Sequence, residues 1–278
     1  MNRSVCILGA GNMGRALVGG LLRSGTRPEQ LSVGEKTAAT RELLAREFGV
    51  NASADNTQAA EGAAVVVLAV KPQDAVPTLA GLASVFARQR PLVVSVAAGI
   101  RIAALEAVCG PGITVVRAMP NRPALVGAGI TGLYAASGIS PAQRTSVASV
   151  LGSVGETVWV PTEEALDVVT AVSGSGPAYF FLLAELMAEA GERLGLEAPT
   201  ARRLASATLY GSGLLAHAPD CDLKRSRTEV TSPGGTTEAA LRVLESADLR
   251  TTVAQALGAA VRRSRELAAA TSNTLTGA

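Results

Sequence analysis

Five short apolar runs in the first half of the chain restrict what it can fold into. Ser4–Gly9, Leu31–Glu35, Ala64–Val70, Leu92–Ala97 and Thr114–Ala118 are rich in β-branched and aliphatic residues and do not alternate with polar ones. A strand with one wet face alternates; a strand apolar throughout is covered on both faces, as in a parallel sheet between two helical layers. Helical patterns separate the runs, over Met13–Arg23, Ala38–Phe48, Pro72–Phe86 and Ile102–Val108. This alternation predicts a doubly wound α/β domain. Ile130–Ala135 and Thr157–Val160 read as later strands, with a helix over Pro141–Gly152 between them.

The pattern changes near Pro161. From Glu163 to about Ala268 the periodicity is helical throughout, with Pro199 and Thr236 opening helices and Ala218–Pro233 reading as a polar loop. The expected organisation is an α/β domain over residues 1–161, an all-α domain over 162–270, and a small, polar, disordered tail over 271–278. The uncharged stretch Val168–Ala184 contains Ser173-Gly174-Ser175-Gly176-Pro177 and is expected to fall short of a membrane span and to form a buried helix. In a helix interior Pro costs about 3 kcal/mol, so Pro177 is expected to interrupt that helix for a packing or site reason.

Composition removes several function classes. With 48% hydrophobic and 17% charged residues the chain can build a large core. Its net charge of +2 and 3% aromatic content offer no basic groove or stacking platform for nucleic acid. Cys6, Cys109 and Cys221 are too dispersed to form a disulfide framework, which favours a reducing, cytoplasmic compartment. With a single histidine, His217, no His/Cys group exists to hold a metal, and no nucleophile elbow accompanies that histidine.

The segment Gly9-Ala10-Gly11-Asn12-Met13-Gly14 follows the first strand and opens the first helix. In that position Gly9 permits the tight turn, Gly11 admits a pyrophosphate, and Gly14 lets helix and strand pack closely. The helix N-terminus adds free N–H groups and a positive dipole end. This predicts a Rossmann-type, dinucleotide-binding domain. At the end of the second strand, Glu35 suits a ribose diol and favours NAD, whereas Lys36 suits a 2′-phosphate and favours NADP; the two signals oppose one another. Lys71, within Ala69-Val70-Lys71-Pro72, and the small residues Val96, Ala97 and Ala98 end later strands, where a nicotinamide would lie.

Two motifs remain in the helical half. Val172–Tyr179 carries the Ser-Gly-Ser-Gly-Pro sequence, and Val230–Thr237 is a hydroxyl- and glycine-rich loop that feeds the helical run Glu238–Glu245, a place suited to a small carboxylate or to a plain N-cap. Together with Gly9–Gly14, Ala69–Pro72, Val96–Gly99 and Met119-Pro120-Asn121, these segments resemble the pyrroline-5-carboxylate reductases over nearly the whole chain. The segment Ala218–Glu229 departs from that pattern, including Ser226 where an aliphatic residue is common.

The resemblance implies NAD(P)H-dependent reduction of 1-pyrroline-5-carboxylate to L-proline; Lys36 after Glu35 makes NADPH the expected cofactor, with NADH tolerated. The resemblance implies that Thr237 meets the imine nitrogen as the catalytic hydroxyl, that the loop Pro233, Gly234, Gly235 and Thr236 holds the substrate carboxylate, and that Ser232 also binds substrate. Asp220 aligns loosely with an acidic substrate-contacting residue, and Asn56 joins Ala69–Pro72 along the cofactor. The resemblance also implies an intertwined homodimer, with larger rings such as a decamer among its assemblies. The helices Val168–Ala190 and Ala201–Leu215, apolar over wide arcs, require such a cover. A β-hydroxyacid dehydrogenase is the nearest rival chemistry, but it needs a lysine on the first long helix of the second domain, and Asp167–Glu192 contains neither Lys nor Arg. A dinucleotide-binding sensor without turnover is the rival of a different class.

Overall fold

The computed structural model describes residues 4–136 and 138–276. Eight strands form one sheet in the order β3-β2-β1-β4-β5-β6-β7-β8. They are β1 (Val5–Leu8), β2 (Leu31–Gly34), β3 (Asn51–Ser53), β4 (Val65–Leu68), β5 (Leu92–Ser95), β6 (Val115–Met119), β7 (Gly129–Ala135) and β8 (Gly155–Trp159). The first six run parallel, β7 is antiparallel to β6, and β8 is parallel to β7. The order reverses between β1 and β4, which opens a crevice at their carboxyl ends.

The apolar runs are covered on both faces, as their composition requires. Val5 and Ile7 of β1, with Val65 and Val67 of β4, enter one core; Cys6, Leu8, Val66 and Leu68 enter the other. The flanking helices are α1 (Asn12–Arg23), α2 (Ala38–Phe48), α3 (Asn56–Ala60), α4 (Pro72–Ala80), α5 (Ala83–Gln89), α6 (Ile102–Cys109) and α7 (Pro141–Gly152). The helix expected over Pro72–Phe86 is two helices, divided at Gly81-Leu82. β3 and α3, only 3 and 5 residues long, escape periodicity.

The chain divides after Gly174, beyond the expected boundary at 161, and the end of its last helix returns to the first unit from Ala260 onward. Ion pairs explain this: Glu163 pairs with Arg117 of β6, and Asp167 pairs with Arg101 beside α6. α8 (Ala165–Val169) therefore belongs to the sheet unit.

The second unit, Ser175–Ala259, holds α9 (Gly176–Arg193), α10 (Ala198–Ala216), α11 (Leu223–Glu229), α12 (Thr236–Ser246) and the start of α13 (Leu249–Thr276). The Ser-Gly-Ser-Gly-Pro motif interrupts the α-helix: α8 gives way to a π-helical turn at Thr170–Gly174 and α9 starts anew at Gly176, with Pro177 in its first turn, where its missing N–H costs nothing. Three expectations are corrected here. By length and composition alone the resulting run Ala165–Arg193 could cross a membrane, and its apolar side chains in α9 are exposed in the single chain, not buried. The supposed polar loop contains α11, because Asp222 caps it by accepting the backbone N–H groups of Lys224 and Arg225. Of the expected tail 271–278, α13 continues to Thr276 and the last two residues lie outside the described ones.

Candidate functional site

The glycine loop is built as its spacing demands. Gly9 has φ +93°, and a Cβ there would stand 2.8 Å from the carbonyl oxygen of Ala69. Its N–H donates to the Gly34 carbonyl at 2.8 Å, which ties β1 to β2. A Cβ on Gly14 would run into the Gly9 carbonyl, so α1 approaches the strand only because that residue lacks one. Gly11, by contrast, faces open space. It opens on a cavity of about 610 Å³ lined by Gly9, Ala10, Gly11, Glu35, Asn56 and Lys71 among others. The amides at the start of α1 and this cavity fit a dinucleotide's phosphates and one of its nucleosides.

At the end of β2 the Glu35 carboxylate turns inward. It accepts the Ala10 N–H at 3.0 Å and the Thr37 N–H at 2.8 Å. Burial pushes this carboxyl up, but the Thr37 and Ala10 amides and the Lys36 charge outweigh that and hold it below the usual glutamate range. Glu35 thus fastens the glycine loop to β2. The cations at this rim are Lys36, which lines the cavity, and Arg41, whose Nη1 donates to the carbonyls of Glu35 and Lys36 at 2.8 Å each. Arg41 was not among the expected site residues; its only signal is a basic residue one turn into the helix after β2. Gly34, also unexpected, leaves room for the Asn56 side chain, whose Oδ1 occupies the space a Cβ there would fill. Asp55 fixes Asn56 by capping α3 through the Thr57 N–H at 2.8 Å.

At the other end of the crevice, Lys71 is the N-cap of α4 with Pro72 following it, and Ala69, Val70 and Lys71 line the cavity. Val96, Ala97 and Ala98 follow β5 and lie outside it. Val96 pairs back to the Leu68 carbonyl at 3.0 Å, and Gly99 then turns with φ +73°. Asn12, Met13, Gly14 and Pro72 are not cavity-lining either: Gly14 serves packing, and Asn12 lines a smaller hollow with Arg15 and Leu125.

In the helical unit the loop Ser232–Gly235 leads into α12, whose N-cap is Gly235 with no side-chain cap. Gly234 has φ +70°, and its N–H donates to the carboxylate of Glu238 at 2.7 Å. The Gly235 N–H donates to Ser232 O at 3.0 Å. The first intrahelical bond runs from Ala239 to Gly235, which leaves the amides of Thr236, Thr237 and Glu238 directed outward from the helix start. Thr237 is half-buried. Asp220 is exposed, with φ +59°, and among the described residues no hydrogen bond joins it to this loop.

Comparison with known proteins bears on both units. Residues 163–267 match the family described as pyrroline-5-carboxylate reductase dimerisation, and residues 4–99 match NADP oxidoreductase, coenzyme F420-dependent. The pyrroline-5-carboxylate reductase of Pseudomonas aeruginosa is 44% identical over 95% of this chain and 96% of its own. The chain belongs to the pyrroline-5-carboxylate reductase family. Solved structures of the family agree in fold. The reductase of Coxiella burnetii superposes with a TM-score of 0.93 at 38% identity, covering 96% of this chain and 99% of that one. That of Plasmodium falciparum, solved with NADP bound, superposes at 0.81 and 28% identity, covering 96% and 98%.

Within this family architecture the expected site residues divide in two. Gly9, Ala10, Gly11, Glu35, Lys36, Asn56, Ala69, Val70 and Lys71 come together around one cavity of the sheet unit. Ser232–Thr237 stand together at the start of α12 in the helical unit, and Asp220 stands apart from them in the loop before α11.

Proposed function

We propose that this protein reduces 1-pyrroline-5-carboxylate to L-proline with NADPH, with NADH as the poorer donor, working as a cytoplasmic homodimer that can assemble into larger rings. The observation that carries the reading is the Gly9–Gly14 cradle, with Gly11 facing open space over a cavity that fits a dinucleotide's phosphates and one of its nucleosides. NADPH, when bound, supplies the hydride. The chain's own residues bind, orient and exclude water. Ala10, Gly11 and the start of α1 hold the pyrophosphate; Lys36 and Arg41 face the 2′-phosphate; Asn56 and Ala69–Pro72 line the nucleotide, and Val96–Ala98 leave room for the flat ring.

The substrate carboxylate docks at the start of α12. Because Glu238 and Ser232 already occupy the Gly234 and Gly235 amides, the carboxylate falls to the amides of Thr236, Thr237 and Glu238 and to the Ser232 hydroxyl. The Thr237 hydroxyl holds the imine nitrogen, which gains a proton while its carbon gains the hydride. A protonated cyclic imine is already electrophilic, so positioning carries more of the rate than acid catalysis and no histidine is required. Initial rates of the purified protein with the imine and NADPH, beside NADH, test this, with chiral chromatography of the product. L-Proline formed fastest with NADPH is expected; tight NADPH binding without turnover would mark a sensor instead.

A further inference from the structure

Buried ionised side chains are scarce in the sheet unit, and those present gather around one loop. Arg117 and Asp167 are the buried charges among the described residues. Asp167 accepts the Ser264 hydroxyl at 2.7 Å, and its other oxygen pairs with Arg101 at 3.3 Å and Arg265 at 3.8 Å. Glu163 pairs with Arg117 and accepts the Ile102 N–H at 2.7 Å, in the first turn of α6. These groups meet the C-terminal end of the turn Val96–Arg101 between β5 and α6, at Arg101 and Ile102. The same turn is backed by α13: a Cβ on Gly99 would lie 3.8 Å from the Ala268 nitrogen and 3.9 Å from Leu267.

Stability alone is a poor reason for this arrangement. Buried ion pairs rarely outperform apolar packing, and Arg101 keeps a buried Nη1 without an acceptor. What the cluster does is fix one geometry. Residues 163–167 and 264–268 open and close the segment matched to the dimerisation family, and here they clasp one another and the β5–α6 turn. We propose that Asp167, with Ser264 and Arg101, is a positioning cluster that sets the Val96–Ala98 turn for the nicotinamide half of the cofactor. It holds that turn in register with the two ends of the helical segment. This rests on the cofactor reading above. The cluster touches no reacting atom; it acts through the turn, as supporting residues act on binding groups.

The test separates the two halves of the cofactor. Ser264→Ala and Asp167→Asn are compared with the parent for affinity to NADPH and to 2′,5′-ADP, a probe of the adenosine half alone. We expect NADPH binding and its KM to worsen about fivefold, the loss of roughly one hydrogen bond, with 2′,5′-ADP affinity unchanged within about twofold. Ser264→Thr, which keeps the hydroxyl, should restore the parent value. Equal weakening of both ligands, or of neither, overturns the proposal by making the cluster a general fold contact or a bystander. If Asp167→Asn does not fold, Ser264→Ala on a half-buried helical position decides the matter. A parent that binds NADPH but does not turn over the imine defeats the functional reading while leaving this binding comparison intact.

Discussion

Ile7 and Leu8 of β1 are fully shielded, whereas Phe180 and Phe181 of α9 stand 60% and 57% exposed in the single chain. The contrast extends through both units. The sheet unit fills two cores with Val, Leu, Ile and Phe; the buried apolar cluster of the helical unit is Ala188, Ala201 and Ala205. One unit closes its core with its own side chains. The other presents Phe180, Leu183, Tyr210 and Leu214 to be covered by something else, and its family match is to a dimerisation segment. The proposed cofactor residues sit on the unit that is complete by itself, and the proposed substrate residues on the one that is not.

The largest expected effect follows from that contrast. Burying each phenyl ring contributes about 1.5–3 kcal/mol, and a twofold interface counts it twice. Replacing Phe180 and Phe181 together by Asp should give a monomer by light scattering, with reductase activity at background. The sheet unit should keep its NADPH affinity. An active dimer after that double change would mean that this face is not the interface.

Next comes the Thr237 hydroxyl. Thr237→Val preserves shape and removes the donor. It should fold, bind NADPH as the parent does, and lose roughly tenfold in kcat/KM, the low end for a positioned proton-transfer group. Retention within about threefold would assign the hydroxyl to capping and the proton to another source.

The adenosine end gives a smaller and more selective change. Lys36→Ala, and separately Arg41→Ala, should raise the NADPH KM about three- to tenfold, the range of one charge-assisted hydrogen bond, and leave NADH nearly unchanged. Arg41 also braces two loop carbonyls. An equal loss with both cofactors would therefore reduce it to that bracing role.

The smallest effect concerns the thiols and leaves activity untouched. Burial pushes Cys6 up to about 12, against a smaller opposing effect of its Ser32 hydrogen bond; burial and the nearby Glu106 charge push Cys109 up to about 12. Both stay protonated at neutral pH, and both lie in the closed core of the sheet unit. A thiol reagent at about pH 8 should label Cys221 of the helical unit in the native protein and all three cysteines only after unfolding. Rapid labelling of Cys6 would show that the sheet unit opens more readily than its burial implies.

Much of this was legible before any coordinates. Residues covered on both faces of a sheet announce themselves by continuous apolarity, and the glycine loop by its place between a strand and a helix. What escaped was set by tertiary pairing. Nothing local in Glu163 or Asp167 distinguishes the start of a helical domain from an anchor to Arg117 and Arg101, so the boundary fell 13 residues late in the fold relative to the change in periodicity. α11 hides in a polar stretch because its signal is one Asx cap. The Glu35 carboxylate reads as a ribose ligand by position, yet its orientation toward Ala10 depends on the loop folding over it. The apolar face of α9 reads as buried, and it is the single chain, not the pattern, that leaves it uncovered.

The return of α13 to the sheet unit has a consequence for biosynthesis. β1 and its glycine loop leave the ribosome long before the residues that back the β5–α6 turn, Ser264 to Ala268. Six parallel strands and both cores can assemble on the nascent chain, while that turn waits for the whole helical segment to emerge. Bracing of the β5–α6 turn is thereby tied to synthesis of the helical segment, and a polypeptide stalled short of residue 264 would carry the glycine loop with that turn unbraced.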